Sequence, residues 1–168
     1  MTIKRDFILH RNSSEEGRQG RKIELLVLHS MDGFYKSTVE WFKNPKTAVV
    51  AHYLISKKGE ISQMLKDGWA GYHAGDYETN LRSIGIELED EKKGEAWVYP
   101  KEEIKALRWL VKRLCKKYKI PKDKEHILLH KDITPERDDP VGNFDLDWIA
   151  SFKTSYLRSV GRNDLSIS

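Results

Sequence analysis

A single cysteine, Cys115, stands in 168 residues, so no internal disulfide framework can staple the fold. Long apolar runs are missing as well, and none approaches the roughly 20 residues of a membrane span. The N-terminal stretch MTIKRDFILHRN has neither the apolar centre nor the small-residue cleavage site of a secretory signal. Synthesis and first residence in the cytoplasm are therefore expected. No internal repeat or linker divides the chain. No basic stripe interleaved with stacking aromatics is present, so nucleic acid is not an expected partner. There is no HExxH pair of the kind that zinc peptidases place on a helix. Stability must come from an ordinary core, and 168 residues with 39% hydrophobic content suffice for one. One domain is expected over residues 1–168, with its core at about 22–158 and a polar tail at 161–168. A monomer is expected. Net charge is +4, a mild bias toward anionic partners that names none of them.

The pattern of apolar residues alternates between strands and helices, which predicts an α/β fold with a mixed sheet. Residues 11–22, RNSSEEGRQGRK, read as a polar loop. Glu24 to His29 is rich in Leu and Val and reads as a buried central strand. Ser37 to Lys43 reads as a helix with Ser37 as its N-cap. Val49 to Ser56 reads as a strand that turns at Lys57-Lys58-Gly59 into a hairpin partner, Glu60 to Leu65. In Ser83 to Glu89, Ile84, Ile86 and Leu88 fall on one face, and Gly85, Glu87 and Glu89 on the other. Lys101 to Tyr118 carries Ile104, Leu107, Leu110, Val111, Leu114 and Tyr118 at helical spacing, with Pro100 and the pair Glu102-Glu103 at its start. Ile127 to Leu129 reads as a short strand. Asp145 to Arg158 reads as a last helix with Trp148, Ile149, Phe152, Tyr156 and Leu157 inward. Cys115 reads as a small core residue.

Two of the strands end on histidine: LLVLHS delivers His29, and LLHKDITPERDDP delivers His130, 101 positions later. The second loop closes on Asp138-Asp139-Pro140. Two histidines and a loop carboxylate are what a three-ligand zinc site needs, with a fourth position left for water. Asp139 precedes a proline that restricts its backbone, and Asp138 stays open as the competing ligand. Glu87, in the middle of a strand, is costly to bury without a cation or a bound water as partner, which makes it the candidate base. Arg137 is the candidate oxyanion donor. His73 sits in GWAGYHAGD among glycines, with Trp69 and Tyr72 as flat surfaces suited to a carbohydrate or peptide groove. His52 reads as a core or supporting residue, and His10 and His126 as structural or exposed.

In order, LLVLHS, VVAHYLISKKGEI, GWAGYHAG, NLRSIGIELE and LLHKDITPERDDP followed by NFD closely resemble the zinc-dependent N-acetylmuramoyl-L-alanine amidases of the type-2 family. The resemblance spans roughly residues 22 to 152, and five ordered motifs make it specific. It implies a mixed sheet flanked by helices with zinc at the bottom of a surface groove. It also implies cleavage of the amide between N-acetylmuramic acid and L-alanine, with peptidoglycan or muropeptides as partners. The family ligands fall on His29, His130 and Asp139, the catalytic glutamate on Glu87, and the groove histidine on His73; Trp69, Tyr72 and Asn80 are the further candidate substrate-binding residues. Three departures stand out, the first being a last loop one residue shorter than the common recycling-type pattern, which keeps the third ligand open between Asp138 and Asp139. Many relatives carry lysine where Arg137 stands, and an arginine cannot act as an acid near neutral pH. A strand tyrosine that assists some phage relatives would align with Ala51, not with Tyr53. The expected role is that of a phage or prophage endolysin. The alternatives are a recycling amidase acting on anhydro-muropeptides and a binding module that has lost catalysis.

Overall fold

The computed structural model describes residues 1–8, 11–93, 96–141, 144 and 146–147. Along the chain the elements are β1 (Ile3–Arg5), β2 (Ser14–Glu15), β3 (Leu25–Ser30), α1 (Tyr35–Lys43), β4 (Tyr53–Ile55), β5 (Ile61–Gln63) and β6 (Ala70–Gly71). Then follow α2 (Tyr77–Arg82), β7 (Ser83–Leu88), β8 (Glu91–Lys93), β9 (Ala96–Val98), α3 (Lys101–Tyr118), β10 (Ile127–Leu129) and α4 (His130–Ile133). Six strands form one sheet in the order β1-β5-β4-β7-β3-β10. Every pairing in it is parallel except the β4–β5 hairpin, so the sheet is mixed, as expected. Among the described residues no helix is long and apolar enough to cross a membrane.

The order follows from burial. β3 and β7 lack an exposed residue, and such strands belong at the centre of a sheet covered on both faces. The first face carries Leu26, Leu28, Ile84, Ile86 and Leu88, which pack with Leu107, Leu110, Val111 and Leu114 of α3. The residues of this helix recur at three- and four-residue spacing, so one stripe meets the sheet. Each fully buried leucine contributes at most about 1.5–3 kcal/mol relative to exposure. The helix stops at Lys119, whose left-handed conformation (φ 59°) lets its N–H reach the Cys115 carbonyl. The second face packs Val39 and Phe42 of α1 with Met31, Val50, Ala51 and Leu54.

The bounds of α3 and β10 agree with the sequence pattern, and Cys115 is buried as expected. Several expectations need correction. Ser37 is not an N-cap: α1 begins at Tyr35, and the Ser37 hydroxyl donates back to the Phe34 carbonyl. The strand expected from Val49 is confined to Tyr53–Ile55, because Val50 N–H donates to Tyr72 O and not to a sheet neighbour. The polar stretch 11–22 contains β2, which pairs with β6, and a buried arginine, Arg18. Glu102 and Glu103 lie in the first turn of α3 as expected, but Glu103 is not a solvated residue there. It is fully buried and accepts the Glu89 N–H at 2.6 Å. Glu89 is buried too, its carboxylate accepting from the Tyr35 and Lys57 N–H groups. Apart from Leu146 and Asp147, the last helix and the polar tail lie outside the described residues, as does His10.

Candidate active site

β3 and β7 pair in parallel register with His29 opposite Glu87, so both side chains leave the same face of the sheet. This is the face opposite α3. On the other side of β3, Leu129 pairs with Leu28, which places His130 one step beyond the pairing. β10 ends there and the chain turns into the single helical turn α4, started by Asp132, which accepts the Leu129 N–H. The rings of His29 and His130 lie 4.4 Å apart, centroid to centroid.

The loop after α4 brings a carboxylate to both. Asp139 accepts from His130 Nδ1 at 2.9 Å and lies 3.3 Å from His29 Nδ1. Its backbone carbonyl accepts the Lys131 N–H, and the next residues are tied down by Val141 N–H to Ser30 Oγ and by Tyr99 OH to Val141 O. The peptide from Asp139 to Pro140 is cis. Asp138 is exposed on the cleft wall and lies outside this cluster. One ligand atom each from His29, His130 and Asp139 falls within 4.8 Å of the others.

Electrostatics match that geometry. Burial lowers the His29 pKa from its ordinary value, so the ring is neutral and keeps a lone pair. Burial alone would raise Asp139. The hydrogen bonds from His130 and His29 outweigh it and hold the carboxylate well below the usual range. His130 Nε2 is buried with no hydrogen-bond partner, so this ring has a nitrogen in reserve that a bound ligand would satisfy. Two imidazoles and a carboxylate are a borderline-soft donor set that suits zinc. Glu87 is pushed up to about 8, first by burial and then by the negative charges of Asp139 and Asp90.

These groups form one end of an open cleft of about 830 Å³. Arg137 is exposed and lines it, as do Trp41 and Val49 from the α1 side. Ala51 lines it too, while Tyr53 turns away and donates to Asp67 at 2.6 Å. His73 borders the cleft and approaches His29, ring nitrogen to ring nitrogen, at 3.1 Å. The other three expected groove residues do not line it. Asn80 is buried, and its side-chain oxygen accepts the backbone N–H groups of His73 and Ala74, so it shapes the loop. Trp69 packs on the second apolar cluster, and Tyr72 lies against Tyr77. His52 is fully buried, as expected of a supporting residue, and accepts the Gly85 N–H.

Two contributors went unseen in the sequence. Arg18 donates to the carbonyls of Asp67 and Leu81 and lies 2.9 Å from His52 Nε2. Thr134 donates to the Ala74 carbonyl and so joins the His73 loop to the loop carrying Asp139. Neither residue type carries a local signal, since both partners are far away in sequence. Elsewhere, Asp123, Glu125 and His126 also cluster, but Asp123 Oδ1 is engaged by the His126 ring and two backbone N–H groups that close a turn.

The family model described as N-acetylmuramoyl-L-alanine amidase matches residues 19–142. The chain belongs to that family. N-acetylmuramoyl-L-alanine amidase A of Achromobacter lyticus is 32% identical over 105 residues, which cover 62% of this chain. The match spans 58% of that relative's length. Among solved structures, a selenomethionine derivative of AmpD is 25% identical with a TM-score of 0.71, covering 89% of this chain and 93% of that one. AmiD from E. coli, in complex with the substrate anhydro-N-acetylmuramic acid-L-Ala-D-γ-Glu-L-Lys, is 25% identical with a TM-score of 0.65. That match covers 87% of this chain and 66% of AmiD. A mutant endolysin from Bacillus subtilis shares the fold at 22% identity, with a TM-score of 0.68 and coverage of 96% and 99%. The type-2 amidase fold, with its central mixed sheet flanked by helices, is therefore that of this family member.

Proposed function

We propose that this amidase-family chain hydrolyses the amide between N-acetylmuramic acid and the L-alanine of peptidoglycan, with zinc held by His29, His130 and Asp139. The observation that carries this reading is the convergence of two buried histidines and one carboxylate beside Glu87 at the end of an open cleft. Bound zinc would supply Lewis acidity and lower the pKa of water toward ~7. The residues divide the remaining work. Glu87 accepts a proton from the attacking water and returns it to the departing amine. A bound cation would add positive charge beside Glu87 and would favour its ionised form, the form that can accept that proton. Arg137 is permanently charged, so it donates hydrogen bonds to a developing oxyanion and transfers no proton. The cleft walls from α1 and the Arg137 loop hold the glycopeptide on either side.

The biological setting we propose is that of a phage or prophage endolysin acting on the cell wall, supported by the net charge of +4 against an anionic polymer. One experiment tests both levels. Purified protein is incubated with intact sacculi and with soluble anhydro-muropeptides, with and without chelator, and new amino termini on L-alanine are counted. Chelator-sensitive release from sacculi is the expected result. Release from fragments alone favours a recycling enzyme. Failure to release L-alanine termini from either substrate overturns the amidase reading.

A further inference from the structure

His73 borders the cleft, yet its ring is engaged on the protein side. The residue is buried, and both of its ring nitrogens face protein atoms. Nδ1 lies 3.1 Å from His29 Nε2, and Nε2 lies 3.3 Å from Ser83 Oγ. A ring engaged at both nitrogens has neither left for a sugar or a peptide.

We propose that His73 is a positioning residue that fixes the tautomer and orientation of His29. The inference rests on the metal-binding role proposed above for His29. In that role His29 must present a lone pair at Nδ1, the nitrogen that faces Asp139. Its single proton then sits on Nε2 and points at His73 Nδ1, which accepts it. The proton of His73 sits on its own Nε2 and is donated to the Ser83 hydroxyl. Histidines that bind metals regularly hand their second N–H to a neighbouring acceptor, which sets ring orientation and basicity. Here the acceptor is a second imidazole.

Independent features show that this ring position is built. A Cβ at Gly85 would come 2.7 Å from His73 Cγ and 2.8 Å from Nδ1, closer than real contacts allow. Gly85 lies within β7, where any residue could adopt its backbone, so the missing side chain serves the ring rather than a turn. The strand register sets Gly85 opposite Val27, two residues before His29 and on its face. Asn80 clamps the backbone N–H groups of His73 and Ala74 at 3.0 and 2.9 Å, and Thr134 holds the Ala74 carbonyl at 2.9 Å. On its far side the ring meets His52, centroid to centroid at 5.7 Å, and His52 in turn receives the Gly85 N–H.

The test is zinc affinity, measured by competition with a chromophoric chelator, for the wild type, His73→Leu, His73→Asn and Gly85→Ala. Melting of each metal-stripped protein by circular dichroism verifies folding. Asparagine places an acceptor oxygen near the position of the ring Nδ1, and leucine fills space without one. We expect His73→Leu to weaken zinc binding by roughly tenfold to a hundredfold, and His73→Asn to stay within about threefold of wild type. Gly85→Ala, which displaces the ring without removing it, should weaken binding in the same sense as leucine. Wild-type affinity in folded His73→Leu overturns the inference, and so does equal loss in the asparagine and leucine variants. Should leucine fail to fold, unaltered affinity in Gly85→Ala overturns it. A wild type without zinc affinity overturns the metal reading itself, and the inference with it.

Discussion

The two faces of strand β7 meet opposite demands. One presents Ile84, Ile86 and Leu88 to α3, where they join a cluster of buried apolar side chains that excludes water. The other presents Gly85, beneath the His73 ring, and Glu87, beside His29. The first face is generic: any set of aliphatic residues with the right volume would serve it. The second is particular, because each position is matched to one partner atom brought from elsewhere in the chain. Stability is concentrated on one side of a single strand and chemistry on the other, a separation that lets the site carry groups a core would reject.

That division can be broken deliberately. The largest effect should follow Glu87→Gln, which keeps the shape of the second face and removes its base. We expect a loss of about 10²–10⁴ in kcat on muropeptide with zinc content retained. Next comes the carboxylate pair. Asp139→Ala should weaken zinc binding by more than the roughly tenfold to hundredfold that losing a supporting partner costs, whereas Asp138→Ala should leave it near wild type. Equal losses in a chelator titration would mean that the carboxylate lodged between the histidines is not the ligand. On the aliphatic face, Leu110→Ala should cost about 2–5 kcal/mol in denaturant unfolding. The folded fraction should bind zinc as before, and a parallel loss of affinity would show that the faces are coupled.

The smallest effect sharpens the comparison at a buried carboxyl on the α3 side, Glu103. Burial pushes its carboxyl up to about 8, with further contributions from Glu89 and Asp90, against an ordinary 4.5. Between those values the folded chain holds a proton that the unfolded chain has released. Stability should therefore fall as pH rises from about 4.5 to about 8 and level off beyond. Glu103→Gln should flatten that slope in melting curves recorded across the window. An unchanged slope would assign the pH dependence to other groups, Glu87 among them.

The same contrast explains what could be read from the amino acids alone. The apolar side of the molecule is written in local periodicity, so α3 and β10 were legible to the residue, and the alternation in Ser83 to Leu88 sorted its two faces correctly. His29, His130 and Asp139 were legible as a set because each ends or follows an apolar strand. Asn80 and Arg18 were not, because their partners lie in other segments: Arg18 reaches Asp67 and Leu81, and it sits in a stretch that looks like solvated loop. Trp69 and Tyr72 were less legible, because a flat side chain near glycines looks alike whether it lines a groove or packs on a cluster. Ser37 misled because its hydroxyl serves equally well inside a first turn as before one.

β10 has a further consequence. It is three residues long and, among the described residues, lies at the end of the sheet with β3 as its one partner. Strands of that kind open first when a protein breathes, and this one leads straight into His130. A cation gripping His29, His130 and Asp139 would tether it across a loop of about 100 residues, much as a covalent cross-link would. Amide exchange at Leu128 and Leu129 should then slow when the ion binds and quicken when it is stripped, so that one edge of the sheet is closed by the same atoms that would do the chemistry.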